Sequence, residues 1–260
     1  MARGARWTAA AWAVLALAAA AGAARAADEE IQVYEDDLDK PGQFGLDTHV
    51  NYVFAGSAPP AYPGQQPSLD RLRITPEWSY GLTKTVELGL YLPLADFQGD
   101  AFTVDGYKFR IKTIAPRPDG QSWYVGGNFE VGQVDRRLDV NPWNAELKGV
   151  VGWRKGRWDV AFNTNIDWAL STNQRAPATI QLATKVDYKI ADKLALGVES
   201  YDGAGDFDHL GRFSGSGHTI YGTIDASIGK WDLNLGVGYG YSGEPDQWTL
   251  KMIVGVPIDD

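Results

Sequence analysis

Three histidines, His49, His209 and His218, are the imidazoles available for acid–base work. His218 ends the run Ser214-Gly215-Ser216-Gly217-His218, so Ser216 and His218 could form a nucleophile–base pair. No G-x-S-x-G elbow accompanies them, and the run reads more simply as a loop entering a strand. Asp206 and Asp208 precede His209 and Arg212 in the glycine-rich stretch Asp202 to Gly217. Two carboxylates there could hold a cation or the loop could fold inward, but a flexible surface loop is the plainer reading. Asp36-Asp37-Leu38-Asp39 raises the same cation question. It lacks the glycine and the spaced oxygen ligands of a calcium loop, and reads as a solvated acidic lead. With no cysteine in the chain, disulfides, thiolate metal sites and thiol nucleophiles are excluded. Zinc motifs, phosphate-cradling glycine loops and dinucleotide fingerprints are absent. The expectation is no catalytic residue, no metal, no cofactor and no enzyme.

The remaining chemistry lies in charge placed at every second residue. Positive positions of this kind are Arg71, Arg73, Lys108, Arg110, Lys112, Lys148, Lys185 and Lys251. Negative ones are Asp47, Glu77, Glu87, Glu130, Glu146, Asp159, Asp167, Asp187, Glu199, Asp225 and Asp232. Their odd neighbours are apolar, as in Val86-Glu87-Leu88-Gly89-Leu90-Tyr91-Leu92-Pro93-Leu94 and Trp231-Asp232-Leu233-Asn234-Leu235-Gly236-Val237-Gly238-Tyr239. Strand side chains alternate between two faces, so these segments carry one apolar and one wet face. Arg71, Arg73, Lys108, Arg110 and Lys112 concentrate on the second and fourth such segments. Two readings of that cluster stay open: a field that orients a polar or anionic solute in a pore, or pairing with Glu77, Glu87 and Glu130 that closes the interior.

Twelve stretches show the alternation: Phe44 to Phe54, Leu69 to Tyr80, Val86 to Leu94, Val104 to Ile114, Trp123 to Val134, Asn144 to Trp153, Trp158 to Leu170, Thr179 to Lys189, Leu194 to Tyr201, His218 to Ile228, Trp231 to Tyr241 and Gln247 to Val256. Their connections sort into two kinds. Gly81 to Lys84, Pro116 to Gly120, Lys155-Gly156, Ile190 to Lys193 and Gly229-Lys230 are short, and the alternate connections, such as Ala55 to Ser68, are mostly longer. Aromatic residues on the apolar parity gather at strand ends: Trp78, Tyr80, Trp123, Trp153, Trp158, Tyr188 and Trp231 towards the short turns, and Phe54, Trp143, Trp168, Tyr241 and Trp248 towards the long loops. Loop asymmetry, two aromatic belts and an even strand number predict an all-β, transmembrane, antiparallel up-and-down barrel of about twelve strands. A soluble sandwich would instead gather its aromatics mid-strand.

The compartment follows from the N-terminus. Arg3 and Arg6 precede an uncharged, Ala-rich run from Trp7 to Ala24, and Ala24-Arg25-Ala26 fits signal-peptidase cleavage. The expected organisation is a signal peptide over 1–26, an acidic periplasmic segment over 27–43 and an outer-membrane barrel over 44–260, with both termini periplasmic. Loss of Arg3, Arg6 and Arg25 takes the formal charge from −9 to −12, which excludes nucleic acid as a partner. No mature apolar run is long enough for a spanning helix, so insertion must use strands.

The hairpin Ile74-Thr75-Pro76-Glu77-Trp78-Ser79-Tyr80-Gly81-Leu82-Thr83-Lys84-Thr85-Val86-Glu87-Leu88-Gly89-Leu90 resembles the outer-membrane proteins named for the meta-pathway of phenol degradation. In that group a Y-G-L-T-x-x-x-E-L turn joins two strands, here Tyr80, Gly81, Leu82, Thr83, Glu87 and Leu88. Beyond this hairpin the likeness is architectural. It implies a barrel that passes small compounds, often aromatic or hydrophobic, across the outer membrane. The chain departs from outer-membrane strands that end on an aromatic residue read by the insertion machinery, since it closes with Val256-Pro257-Ile258-Asp259-Asp260. The partners expected are outer-membrane lipids, a small-molecule solute and, during biogenesis, that machinery. The candidate lumen and solute contacts are Arg71, Arg73, Glu77, Glu87, Lys108, Arg110, Lys112 and Glu130.

Overall fold

Period-two alternation becomes a curved, closed sheet. The computed structural model describes residues 30–96, 102–171, 173–211 and 216–259, and these contain strands and no helix. The leader expected over 1–26 lies outside the described residues. Of fifteen β segments, fourteen make twelve barrel strands: β1 (Phe44–Gly56), β2 (Arg71–Gly81), β3 (Val86–Tyr91) continued by β4 (Leu94–Asp96), β5 (Phe102–Val104) continued by β6 (Gly106–Ile114), β7 (Trp123–Val134), β8 (Trp143–Lys155), β9 (Trp158–Ala169), β10 (Thr179–Ala191), β11 (Leu194–Asp206), β13 (His218–Ile228), β14 (Trp231–Tyr241) and β15 (Asp246–Pro257). The two-residue β12 (His209–Leu210) pairs only with β11. All ladders are antiparallel, and β1 closes the sheet by pairing with β2 on one side and β15 on the other. A sheet without edges leaves no row of unpaired backbone groups, which a hydrocarbon solvent demands.

The faces sort as their parity requires. Leu88, Ile111, Leu147, Phe162, Val198, Leu235 and Leu250 are all exposed among the described residues, as suits a surface made for lipid. The charged alternates Arg71, Arg73, Glu77, Glu87, Arg110, Lys112, Glu130, Lys148, Lys185, Glu199 and Lys251 are buried inside. Aromatics pair in two rings, some across neighbouring strands and some, Tyr107–Trp143 and Phe129–Trp168, across the strand between them. Phe44–Tyr80 (4.7 Å), Trp123–Trp153 (6.5 Å) and Trp158–Tyr188 (4.8 Å) lie near the short turns. Phe54–Trp248 (6.2 Å), Tyr107–Trp143 (6.1 Å) and Phe129–Trp168 (6.3 Å) lie near the long loops. Gly156 and Gly229 adopt φ of +62° and +66°, the left-handed geometry that a two-residue hairpin turn needs.

Three strands differ from the sequence expectation: the third, the fourth, which is interrupted at Asp105 between β5 and β6, and the one formed by β11. The third is broken between Tyr91 and Leu94, where Pro93 has no N–H to donate to a ladder. Leu92 instead donates to the Pro76 carbonyl (3.1 Å), and Asp105 donates to that of Pro93 (2.8 Å). The eleventh element also outruns its apolar pattern: β11 continues to Asp206, with Gly203 opposite Gln181 and Asp206 opposite Thr179. Backbone pairing with β10 carries it past the aromatic ring, where alternation is no longer enforced by lipid. The long loops clasp each other as well. The Tyr62 hydroxyl donates to the Arg136 carbonyl (2.9 Å), and burial with the nearby Asp139 charge pushes its pKa up to about 12.

Candidate functional site: a charged lumen threaded by the N-terminal segment

The acidic lead is the main correction to the sequence reading. It is not a solvated tail: from residue 30 it runs inside the barrel and leaves through the short-turn end into β1. Val33 (4 % exposed) packs with Ala161, Ala183, Tyr201 and Tyr221, and Tyr34 (2 % exposed) packs with Tyr124 and Val150. These partners come from β7, β8, β9, β10, β11 and β13, so the segment touches walls on opposite sides of the lumen. An extended chain inside a barrel has backbone groups that must find partners. Asn163 supplies two of them, accepting from the Tyr34 N–H at 2.6 Å and donating to the Tyr34 carbonyl at 3.0 Å. Lys251 donates to the Ile31 carbonyl (3.2 Å), and the Asp39 N–H donates to Glu87 (2.6 Å).

The acidic side chains are matched to wall cations in order. Glu35 receives Lys185 Nζ (2.8 Å) and Arg154 (3.1 Å). Asp36 is held by Arg154 (2.8 Å) and Arg117 (2.9 Å), Asp37 accepts from Lys112 (3.3 Å), and Asp39 accepts from the Ser79 hydroxyl. Charge removed from water is tolerable only when paired and hydrogen-bonded, a condition these contacts meet for Glu35 and Asp36, while Asp37 stays exposed. Apolar Val33 and Tyr34 beside the acids were the one signal of docking in the sequence. Their partners are 90 residues or more distant along the chain.

The wall has its own ion pairs. Arg110 (4 % exposed) bridges Glu77 and Glu87, the latter at 2.7 Å. Glu77 also faces His49 Nε2 (3.3 Å). Arg71 pairs with Asp246, Lys148 with Glu146 (3.0 Å), Arg154 with Asp159, and Lys251 with Glu199. Lys185 reaches Asp187 (3.1 Å) and Asp225 (3.3 Å) as well as Glu35. Of the expected lumen residues, Arg110, Glu77 and Glu87 are brought into one network, and Lys112 joins it through the N-terminal segment. Glu130 accepts from Asn128 Nδ2 (2.6 Å) and from the Tyr34 hydroxyl (3.2 Å). Arg71 lies apart, at the long-loop end of β2. Arg73 is buried on the same face and Lys108 is half-buried. Between the segment and the walls, at the short-turn end, lies a cavity of about 830 Å³ lined by Lys112, Lys185, Asp187, Glu199, Asp225 and Lys230 among others.

The other candidates are explained by local structure. His218 is fully buried, stacks on Tyr241 (5.6 Å) and has Nδ1 2.8 Å from Asp202. Asp206 faces His209 (3.2 Å) and Asp208 faces Arg175 (2.8 Å), so neither carboxylate presents a bare cation site. Arg212 and Ser214 lie outside the described residues.

No family model matches this chain, and no curated protein is found similar to it. The likeness of the Ile74–Leu90 hairpin therefore has no counterpart in a family match. Solved structures do resemble the fold. An outer membrane channel from Pseudomonas putida F1 superposes with a TM-score of 0.62 at 13 % identity, over 88 % of this chain and 100 % of the other. The KdgM porin, in complex with disordered oligogalacturonate, gives 0.56 at 10 % identity over 83 % and 99 %. The NanC porin gives 0.55 at 11 % identity over 83 % and 100 %. At such identities the likeness is one of fold: a closed, twelve-stranded antiparallel barrel of the outer-membrane type.

Proposed function

We propose that the mature chain is a bacterial outer-membrane channel that lets small solutes, aromatic or hydrophobic compounds among them, pass without an energy source or chemical step. The observation that carries this reading is the division of faces. An uncharged apolar exterior surrounds an interior lined with buried charge and containing a cavity of about 830 Å³. Lipid on the outside and water within are the environments in which both faces are satisfied. Short turns on the side of both strand termini fit a periplasmic placement of Phe44 and Pro257. Lipids and the barrel-insertion machinery are then the macromolecular partners, and Arg71, Arg73, Glu77, Glu87, Lys108, Arg110, Lys112 and Glu130 are the side chains a solute would meet.

A second reading is favoured by one observation, the N-terminal segment that occupies the lumen. It makes the chain a sealed barrel with a structural or loop-mediated binding role. Liposome swelling separates the two. Purified protein in vesicles is expected to admit sugars, amino acids or aromatic acids faster than protein-free vesicles. Swelling no faster than the protein-free control for every solute overturns the channel and leaves the sealed barrel.

A further inference from the structure

The ring of Tyr34 sits in a seat made by the barrel wall, with one contact from its own segment, the hydroxyl lying 3.2 Å from Glu30. Lys148 Nζ lies 4.0 Å from the ring centroid, Lys112 Nζ 5.1 Å and Arg110 Cζ 5.7 Å, so three cations face one π-system. Each is within cation–π range, and the interaction strengthens where water is excluded. Val150 and Tyr124, both nearly inaccessible, supply the apolar contacts. At the far end the hydroxyl is 2.6 Å from the Tyr91 hydroxyl and 3.2 Å from Glu130, whose carboxylate is fixed by Asn128 at 2.6 Å. The wall therefore offers an acceptor and a hydroxyl for one O–H, cations for a ring face and a flat apolar flank. That is the complement of a phenol.

We propose that this seat is a phenol-binding site that the chain fills with its own Tyr34, so that a free para-alkylphenol competes with the luminal segment for it. Only the consequence for permeation, that such a ligand loosens the segment and opens the lumen, rests on the channel reading above. The segment is poised for exchange because its anchors are separable. Asn163 holds the Tyr34 backbone, wall cations hold Glu35 to Asp37, and the ring fills the seat. A ligand that displaces the ring removes one anchor without breaking any strand pairing, so the population shift follows from its preference for the vacated seat. A phenol has this preference and a plain arene does not, because the arene leaves Tyr91 and Glu130 without the hydroxyl they meet now.

The test uses p-cresol, which reproduces the tyrosine side chain, and toluene, which lacks the hydroxyl. In the full-length mature protein carrying Tyr34→Ala, p-cresol is expected to bind saturably in calorimetry. Its affinity should be about tenfold higher than that of toluene, the value of one well-made hydrogen bond, and higher than for wild-type protein, where the seat is occupied. A second measurement does not depend on the variant folding. In wild-type protein p-cresol should reduce hydrogen-exchange protection over residues 30–39, while toluene at equal concentration leaves it unchanged. Equal binding of p-cresol and toluene, or no p-cresol binding to Tyr34→Ala together with unchanged wild-type protection, overturns the proposal and makes Tyr34 a packing anchor. Bilayer current recorded on the same samples keeps the two ideas apart. Current without a response to p-cresol ends the seat and leaves the channel. Cresol binding without current ends the channel and leaves the seat.

Discussion

Placing arginine on the outer face of β14 tests which solvent that face meets. Leu235 is 40 % exposed and pairs with Ile224 and Met252 in the adjoining strands. It stands four residues from Trp231 and four from Tyr239 along the strand. At about 3.3 Å per residue that is roughly 13 Å each way, or about 10 Å of depth after the usual strand tilt. Leu235 is thus close to the middle of an apolar band about 25 Å tall. Leu235→Arg should destabilise the folded barrel by about 2–4 kcal/mol, a fall of roughly 30- to 1,000-fold in the folding constant. Ile228, 65 % exposed and opposite Trp231 at the strand end, should lose only about 0–1 kcal/mol on conversion to arginine. Reversible urea unfolding in phospholipid vesicles reads both values. A protein whose outer face met water would show about 0.5 kcal/mol or less at both sites, as exposed positions do. Equal small losses would therefore refute the lipid assignment.

Three further substitutions probe the interior. Arg110→Ala removes the cation shared by buried Glu77 and Glu87, leaving them only His49 and the Asp39 N–H, and should cost about 3–5 kcal/mol in the same urea assay; a loss below about 1 kcal/mol would mean water already reaches the pair. Asn163→Ala removes both hydrogen bonds to the Tyr34 backbone and should weaken docking of the segment by about 1–3 kcal/mol, read as faster hydrogen exchange at residues 30–39 with unchanged exchange in the strands. Unchanged exchange at Tyr34 would show that the clamp contributes nothing. Gly238→Ala places a methyl 2.2 Å from the Tyr221 ring, and should destabilise the barrel by about 1–3 kcal/mol through overpacking. Gly222→Ala, which meets nothing within 4 Å, serves as its near-neutral control.

The strand plan was legible because each strand faces two different solvents, so a single period governs every segment from Phe44 to Pro257. Trp123–Val134, His218–Ile228 and Trp231–Tyr241 match the sequence reading at both ends. Where that two-solvent rule lapses, so does legibility. Pro93 breaks the third strand because backbone chemistry overrides an uninterrupted apolar pattern, and β11 outlasts its pattern by following β10. The wall pair Arg110–Glu87 was foreseeable from neighbouring strands with opposite charges, and Arg110–Glu77 from the same face across β3. The docking of residues 30–43 was not. An acidic run is stabilised equally well by water or by cations distant in sequence, and nothing near Glu35 in the sequence reveals that Arg154 and Lys185 lie beside it in the lumen.

The most direct measurement is planar-bilayer current through the mature protein and through a variant carrying Glu35→Gln, Asp36→Asn and Asp37→Asn. These changes remove the ion pairs to Lys185, Arg154, Arg117 and Lys112 while leaving every strand intact. A water-lined barrel whose lumen is narrowed by its own N-terminal segment should conduct, and should carry a larger mean current once that segment is loosened. Silence from both proteins, with insertion verified by their resistance to extraction, would contradict the account.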